Sequence, residues 1–112
     1  MIFHITTHLE WEKALQDGAY TAPSLDSQGF IHCSYAHQLE RVANKYYSAQ
    51  AGLVILVINP KSLASPLKVE KAVDVEDDYP HIYGPINLDA VVKVVDFPPS
   101  ADLSFHIPTE LL

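Results

Sequence analysis

The sequence contains little of what several classes of protein require. Among its 112 residues are one cysteine, Cys33, and one arginine, Arg41. A lone cysteine excludes an internal disulfide, and small secreted domains usually rely on several, so we predict a reducing, cytoplasmic environment. The longest apolar run, residues 53–58, is far shorter than the roughly 20 residues that cross a bilayer. We therefore expect a soluble protein with no membrane partner.

Basic residues are also scarce, with 7 lysines and arginines against 14 acidic residues and a net charge of −7. This charge opposes the electrostatic attraction on which nucleic-acid binding depends, so a nucleic-acid partner is disfavoured. Hydrophobic residues make up 48% of the chain and charged residues 19%, which is typical of a globular protein. We predict a single domain over residues 1–112, with a core over 2–97 and a loosely held tail over 98–112.

Hydrophobic periodicity and turn residues predict an α+β domain. A strand over residues 2–6 precedes a helix that begins with a capping box at Thr7 and Glu10 and ends at Gly18. A second helix is predicted to be capped by Ser34 and to close before Gly52. The remaining expectations are a loop over 19–28, strands over 30–33, 53–58, 67–70 and 91–97, an acidic loop over 74–78, and a fixed loop over 79–85. Of these strands, 53–58 reads as a central strand buried on both faces.

Three stretches combine a histidine with a hydroxyl two residues later: His4 with Thr6, His32 with Ser34, and His81 with Tyr83. Alternate residues of a strand share a face, so the members of the first two pairs would point the same way. Each histidine alone reads equally well as a half-buried structural residue. Burying a polar side chain is costly unless it forms a hydrogen bond. Three histidine–hydroxyl pairs in one small domain therefore favour a shared ligand site.

Other polar residues allow further interpretations. Glu70 ends a predicted strand shortly before His81, where a carboxylate can bind ribose hydroxyls or stabilise a developing cation, although a surface charge is the simpler reading. The histidine spacings give little support to a metal site, and we predict none. Cys33 and His32 are strand neighbours that face opposite ways, so we expect a packed thiol rather than a Cys–His dyad.

The stretches 3–6, 29–34 and 79–85 resemble the motifs of the bacterial family known as domain of unknown function 952. That family is distantly similar to the ADP-ribosyltransferase-like superfamily, whose members bind NAD in the cleft of a split β-sheet. The resemblance implies a split, mixed sheet with two helices in the N-terminal half of the chain.

The resemblance also implies site roles, with NAD as a substrate and no firmly implied cofactor. Glu70 and His32 would be catalytic in cleaving the nicotinamide–ribose bond. The ligand would be bound by His4, Thr6, Ser34, His81 and Tyr83. RNA 2′-phosphotransferases are similar in their paired histidines but use cleft arginines, and the single arginine argues against an RNA substrate.

The alternative is a non-catalytic module that holds a nucleotide or small metabolite in the same cleft, or an interaction domain. An enzyme would release nicotinamide from NAD and lose that activity in a Glu70→Gln variant. A binding module would be stabilised by its ligand without turnover. The sequence leaves both interpretations open, together with the oligomeric state.

Overall fold

Eight strands and three α-helices make up the fold in the computed structural model, which describes residues 1–72 and 77–111. The strands are β1 (Ile2–Thr7), β2 (Ala19–Tyr20), β3 (Ile31–His32), β4 (Leu53–Ile58), β5 (Leu67–Lys71), β6 (Asp78–Ile82), β7 (Ile86–Asn87) and β8 (Val91–Asp96). The helices are α1 (His8–Asp17), α2 (Pro23–Gln28) and α3 (Leu39–Tyr46). Short 3-10 helices cover Ala36–Gln38, Pro60–Ser62, Leu88–Ala90 and Thr109–Leu111. The predicted α+β class is confirmed.

The strands are divided between two three-stranded sheets, in the orders β1-β4-β8 and β3-β6-β5, and a small β2-β7 ladder. The two larger sheets are linked at one residue pair, where Phe3 N donates to Ser34 O at 2.9 Å and Ser34 N donates to Phe3 O at 2.7 Å. The pairs among these strands are antiparallel, whereas the predicted mixed sheet allowed parallel pairs. The two sheets therefore meet beside His4 and His32.

Strand β4 is central in its sheet and all six of its residues are buried, as its continuous apolar sequence predicts. Its alternate side chains enter two separate core clusters, one on each face of the sheet. Ile2 on β1 joins the same cluster as Val54, and Phe3 joins the same cluster as Leu53. The division of β1 into two faces is therefore as predicted.

Helix α1 begins and ends at the predicted residues. Thr7 Oγ1 accepts a hydrogen bond from Glu10 N at 3.1 Å, and Gly18 takes the left-handed conformation with φ 85°. The second predicted helix starts later than expected, with a 3-10 turn from Ala36, and ends at Tyr46. The residue that precedes this turn is Tyr35, whose backbone N donates to Gln38 Oε1 at 2.9 Å, so the prediction that Ser34 caps the helix is wrong.

Two predicted loops contain regular structure. Residues 19–28 hold β2 and the short helix α2, which brings the helices of the N-terminal half to three instead of two. Pro23 opens α2 because the first turn of a helix needs no N–H from its first residues. The loop predicted over 79–85 is largely strand β6, which lies between β3 and β5.

Pro80 is tolerated in this central strand because of where β3 ends. Cys33 N donates to Pro80 O at 3.0 Å, and Pro80 has no N–H with which to return that bond. Pairing with β3 stops at His32, one residue earlier. On the other side of β6, Val69 opposes Pro80 and the β5 pairing continues through Lys71. Residues 79–85 were predicted as a loop because proline is rare inside a sheet. That prediction is wrong for β6 because the neighbouring strand β3 ends beside Pro80.

The C-terminal tail is anchored, which corrects the predicted loose attachment. Phe105 is 1% exposed and packs 5.0 Å from Phe97, measured between ring centroids. The side chain of Asn44 on α3 accepts from Phe105 N at 2.7 Å and donates to Phe105 O at 3.1 Å. Of the predicted acidic loop, residues 74–76 lie outside the described residues, and Asp78 belongs to β6. Within the described residues, the helices are all too short or too polar to cross a bilayer.

Candidate functional site

A cleft of about 820 Å³ lies between strands β3, β5 and β6 and helix α3. Five of the seven predicted site residues line it: His32, Ser34, Glu70, His81 and Tyr83. The other two, His4 and Thr6, line a smaller pocket of about 300 Å³. His32 and Tyr47 line both spaces, so the two are neighbours on either side of these side chains.

Strand alternation places the cleft residues. Ile31 and Ile82 are fully buried in the core, while their neighbours His32 and His81 face the cleft as direct partners across β3 and β6. Cys33 is 2% exposed, and burial raises the pKa of its thiol, as expected for a packed cysteine. Because Ile31 and Ile82 face the core, the neighbouring imidazoles of His32 and His81 both face the cleft.

Glu70 is the hydrogen-bonding centre of the cleft. Its Oε1 accepts from the Tyr83 hydroxyl at 2.5 Å and from His81 Nδ1 at 2.8 Å. Because the ionised carboxylate is a better acceptor, the bond from Tyr83 and then the bond from His81 lower the pKa of Glu70. The hydrogen bond from the Tyr83 hydroxyl to Glu70 also raises the pKa of Tyr83, because the hydroxyl must keep its proton to donate.

His81 has one ring nitrogen that is available to a ligand. A carboxylate accepts hydrogen bonds, so His81 Nδ1 carries a proton, and the neutral form of the ring has its unprotonated nitrogen at Nε2. No buried side-chain nitrogen or oxygen in the described residues lacks a partner. Nε2 has no hydrogen-bond partner among those residues, so it opens onto the cleft. An imidazole oriented by a carboxylate at its far nitrogen is the arrangement of a general base.

An aromatic wall holds the two imidazoles. The Phe30 ring stacks on His81 with centroids 4.1 Å apart and planes at 22°, and lies 4.8 Å from His32 and 5.3 Å from Tyr83. The rings of His32 and His81 are 5.4 Å apart in an edge-on arrangement. Partial burial, with a smaller effect of His81, lowers the pKa of His32, so His32 is neutral at pH 7. His32 also bonds Gln28 Oε1 through Nε2.

Cations are concentrated at this cleft although the protein is acidic. Arg41, Lys45 and Lys71 line it, and Lys68 places its Nζ 4.9 Å from the centre of the Tyr83 ring. These are four of the chain's seven basic residues. Arg41 donates to Asp77 at 3.1 Å and to the Tyr79 hydroxyl, which fixes its side chain at the rim. Lys71 Nζ lies 3.9 Å from Asp78 Oδ1, so aspartates partly offset the positive charge of this rim.

A family model described as "Protein of unknown function (DUF952)" matches residues 5–94. The chain belongs to the DUF952 family. Protein CC0527 from Caulobacter crescentus has a similar crystal structure, with 29% identity, a TM-score of 0.88, and coverage of 98% of this chain and 96% of that chain. Its solution structure has 28% identity and a TM-score of 0.73, over 92% and 89% of the two chains. No curated protein matches this DUF952 chain.

In this DUF952 protein His4 connects the two sheets. Its Nδ1 donates to the backbone oxygen of His32 at 2.6 Å, and its Nε2 lies 2.7 Å from the Tyr20 hydroxyl, which is also bonded to Thr6 Oγ1 at 2.9 Å. Burial lowers the pKa of His4 to about 4. Both ring nitrogens are occupied by the protein, so His4 positions the strand that carries His32 and has no free ring nitrogen for a ligand.

Sequence reasoning missed the residues that α3 contributes to the cleft. Arg41 and Lys45 are four residues apart and therefore lie on one side of the helix, a spacing that signals a basic stripe on an otherwise acidic chain. Phe30 was predicted as part of an apolar strand and instead forms the wall next to the imidazoles. The described residues include no group of three or more histidine, cysteine, aspartate or glutamate side chains arranged to hold a metal ion.

Proposed function

We propose that this cleft binds NAD and cleaves its nicotinamide–ribose bond, passing ADP-ribose to water or to another acceptor. The observation that carries the proposal is the Glu70–His81 pair, a carboxylate-oriented imidazole whose second nitrogen opens onto a cleft with a cationic rim. The resemblance drawn from the sequence motifs at residues 3–6, 29–34 and 79–85 implies the same reaction.

The ligand's chemistry follows from the lining. A volume of about 820 Å³ falls within the range of small-molecule and cofactor sites. Arg41, Lys45 and Lys71 supply positive charge for a pyrophosphate, which this chain must bind with few arginines. The aromatic side chains Phe30 and Tyr83 offer surfaces to flat heterocyclic rings. A nucleotide combines both features.

The reaction needs charge stabilisation and one base. The bond between ribose C1′ and the nicotinamide nitrogen breaks, and its electron pair stays on that nitrogen, which neutralises the pyridinium ring. Positive charge develops on the ribose and is stabilised by the Glu70 carboxylate. Water attacks C1′ and loses its proton to His81 Nε2, giving ADP-ribose, nicotinamide and a protonated imidazole. His32, neutral and adjacent, orients the sugar.

A binding module is the second candidate, and one observation favours it. Glu70 Oε1 already accepts two hydrogen bonds from protein donors, which fits a rigid wall as well as it fits a reactive carboxylate. Under this alternative the same cleft and the same cations hold a nucleotide without bond cleavage. The two candidates share a ligand and differ in turnover.

The test measures nicotinamide release from NAD and thermal stabilisation by NAD on the same preparations. Wild type is expected to release nicotinamide, and Glu70→Gln and His81→Asn to slow the release by about 100-fold or more, the usual contribution of a general base. Glu12→Gln is the matched control, because Glu12 is exposed on α1 and lines neither pocket. Its rate should equal that of wild type.

Each other result has a defined meaning. Stabilisation by NAD without turnover would replace the enzyme with the binding module. Turnover that survives in both variants would refute the assigned roles of Glu70 and His81. If NAD neither stabilises the protein nor is cleaved, the proposal is wrong.

A further inference from the structure

The turn between α2 and β3 folds the last residue of the helix back onto His32. Gly29 takes the left-handed conformation with φ 87°, and its N–H donates to the backbone oxygen of Ser24 at 3.1 Å. The Ser24 hydroxyl donates to the backbone oxygen of Phe30 at 2.8 Å, which fastens the chain beyond the turn to the first turn of the helix. This arrangement brings the side chain of Gln28 to the imidazole, where Gln28 Oε1 bonds His32 Nε2.

The other contacts of His32 do not select between its two ring nitrogens. His4 Nδ1 donates to the backbone oxygen of His32 at 2.6 Å, which fixes the backbone and not the ring. The rings of Phe30 and His81 lie 4.8 Å and 5.4 Å from the imidazole and pack against it edge-on. Among residues 1–72 and 77–111, Gln28 is the one residue that bonds a ring nitrogen of His32.

This bond determines where the proton of His32 lies. The oxygen of an amide side chain can only accept a hydrogen bond, so His32 Nε2 carries the proton and Nδ1 of the neutral ring is unprotonated. In His81 the arrangement is opposite, because Glu70 accepts from Nδ1. Each imidazole therefore directs a proton to a side chain of the protein, and His32 Nδ1 has no hydrogen-bond partner within the described residues.

We infer that Gln28 is a positioning residue, which fixes His32 as a hydrogen-bond acceptor at Nδ1 and thereby requires a donor group from the ligand. A hydroxyl or an amide N–H meets this requirement, whereas the oxygens of an ionised phosphate or carboxylate do not. Gln28 therefore contributes to the orientation of the ligand in the cleft. The effect on His32 follows from the bond alone, and the assignment of the donor to a ribose hydroxyl of NAD rests on the proposed function.

Long-range proton–nitrogen NMR of nitrogen-labelled protein tests the inference without NAD, because protonated and unprotonated ring nitrogens resonate far apart. At about pH 8.5, where His32 is neutral because burial lowers its pKa, wild type should show His32 protonated at Nε2. Gln28→Met should convert this signal to that of a tautomer mixture. Gln28→Glu should keep the wild-type tautomer, because a carboxylate also only accepts. The signals of His81 should stay the same in both variants.

Nicotinamide release from NAD tests the consequence for the ligand. Gln28→Met should raise KM by about threefold or more and leave kcat within about twofold, because a bond that only orients the ligand is made before and during the reaction. Gln16→Met is the matched control, since Gln16 is exposed on α1 and lines neither pocket. Its tautomers, KM and kcat should equal those of wild type.

The outcomes separate this inference from the proposed function. A wild-type His32 protonated at Nδ1, or a Gln28→Met spectrum identical to that of wild type, would overturn the inference. An unchanged KM in a Gln28→Met protein whose His32 tautomer has changed would also overturn it. The expected tautomers in a protein that neither binds nor cleaves NAD would keep Gln28 as the residue that fixes His32 and would refute the proposed function alone.

Discussion

Acidification between pH 7.5 and pH 5 is expected to weaken the fold through His4. In the folded protein burial lowers the pKa of His4 from 6.5 to about 4, and the unfolded chain regains the ordinary value. Below pH 6.5 the unfolded chain therefore binds a proton that the folded chain refuses. The free energy of unfolding should fall as the pH drops from about 6.5 to about 4, and the effect should be absent above that range.

The magnitude follows from the two pKa values. Their difference corresponds to about 3 kcal/mol over the whole range, and about 2 kcal/mol of this loss is reached by pH 5. His32, whose pKa is also lowered by burial, changes stability in the same direction. Hydrogen bonds lower the pKa values of the Glu70 and Asp77 carboxyl groups, so the stability that these groups contribute is lost at lower pH than the stability lost through the imidazoles. Measurements at or above pH 5 therefore report mainly on the imidazoles.

Urea denaturation at pH 7.5, 6.5, 5.5 and 5.0 measures the effect, with His4→Asn as the test variant. Asparagine keeps a donor for the His32 carbonyl but loses the Tyr20 contact, which should cost about 1–3 kcal/mol at every pH. It should also remove at least half of the pH dependence. His106→Asn is the matched control, since His106 is exposed, and it should keep the wild-type slope. A wild-type slope no steeper than that of His4→Asn would refute the reasoning.

Three further predictions concern the cleft, the tail and a turn. Tyr83→Phe removes a donor from Glu70, so the pKa of the Glu70 carboxyl should rise, as followed by carbon NMR titration; an unchanged value would show that the bond is absent in solution. Phe105→Ala should lower the free energy of unfolding by about 3–5 kcal/mol, whereas Leu103→Ala, at an exposed position, should change it by less than about 0.5 kcal/mol; equal effects would contradict the docked tail. Gly84→Ala should lower the melting temperature, because a Cβ there would lie 2.4 Å from a serine hydroxyl and the φ of 154° disfavours a side chain; an unchanged melting temperature would contradict this turn.

The sequence was sufficient to predict the faces of the strands that build the site. Around β3 the alternation of Ile31 with His32 predicts which side chain faces the core. On β1 both faces are buried, so alternation predicts only that His4 and Phe3 point in opposite directions. The convergence of His32 and His81 followed from the same rule once β3 and β6 were paired. The alternation of apolar and polar residues involves neighbours in the chain, so it can be recognised in one sequence without knowledge of the fold.

The features that sequence reasoning missed depend on contacts between distant segments. Pro80 could not be read as a strand residue without knowing that β3 ends beside it. The tail looked unattached because Asn44, which holds Phe105, lies about sixty residues away in the chain. His4 was predicted to bind ligand, yet its ring nitrogens are used by Tyr20 and by the His32 backbone. Local patterns do not show how such polar groups are shared.

The reactive groups of the proposed site belong to one hairpin. Glu70 lies on β5, His81 lies on β6 and Tyr83 follows directly, so the register of two neighbouring strands sets their mutual geometry. The cations of α3 and the imidazole of β3 come from other parts of the chain. A shift of one residue in the pairing of these two strands would turn either Glu70 or His81 to the opposite face of the sheet, so the reactive pair exists only in this register.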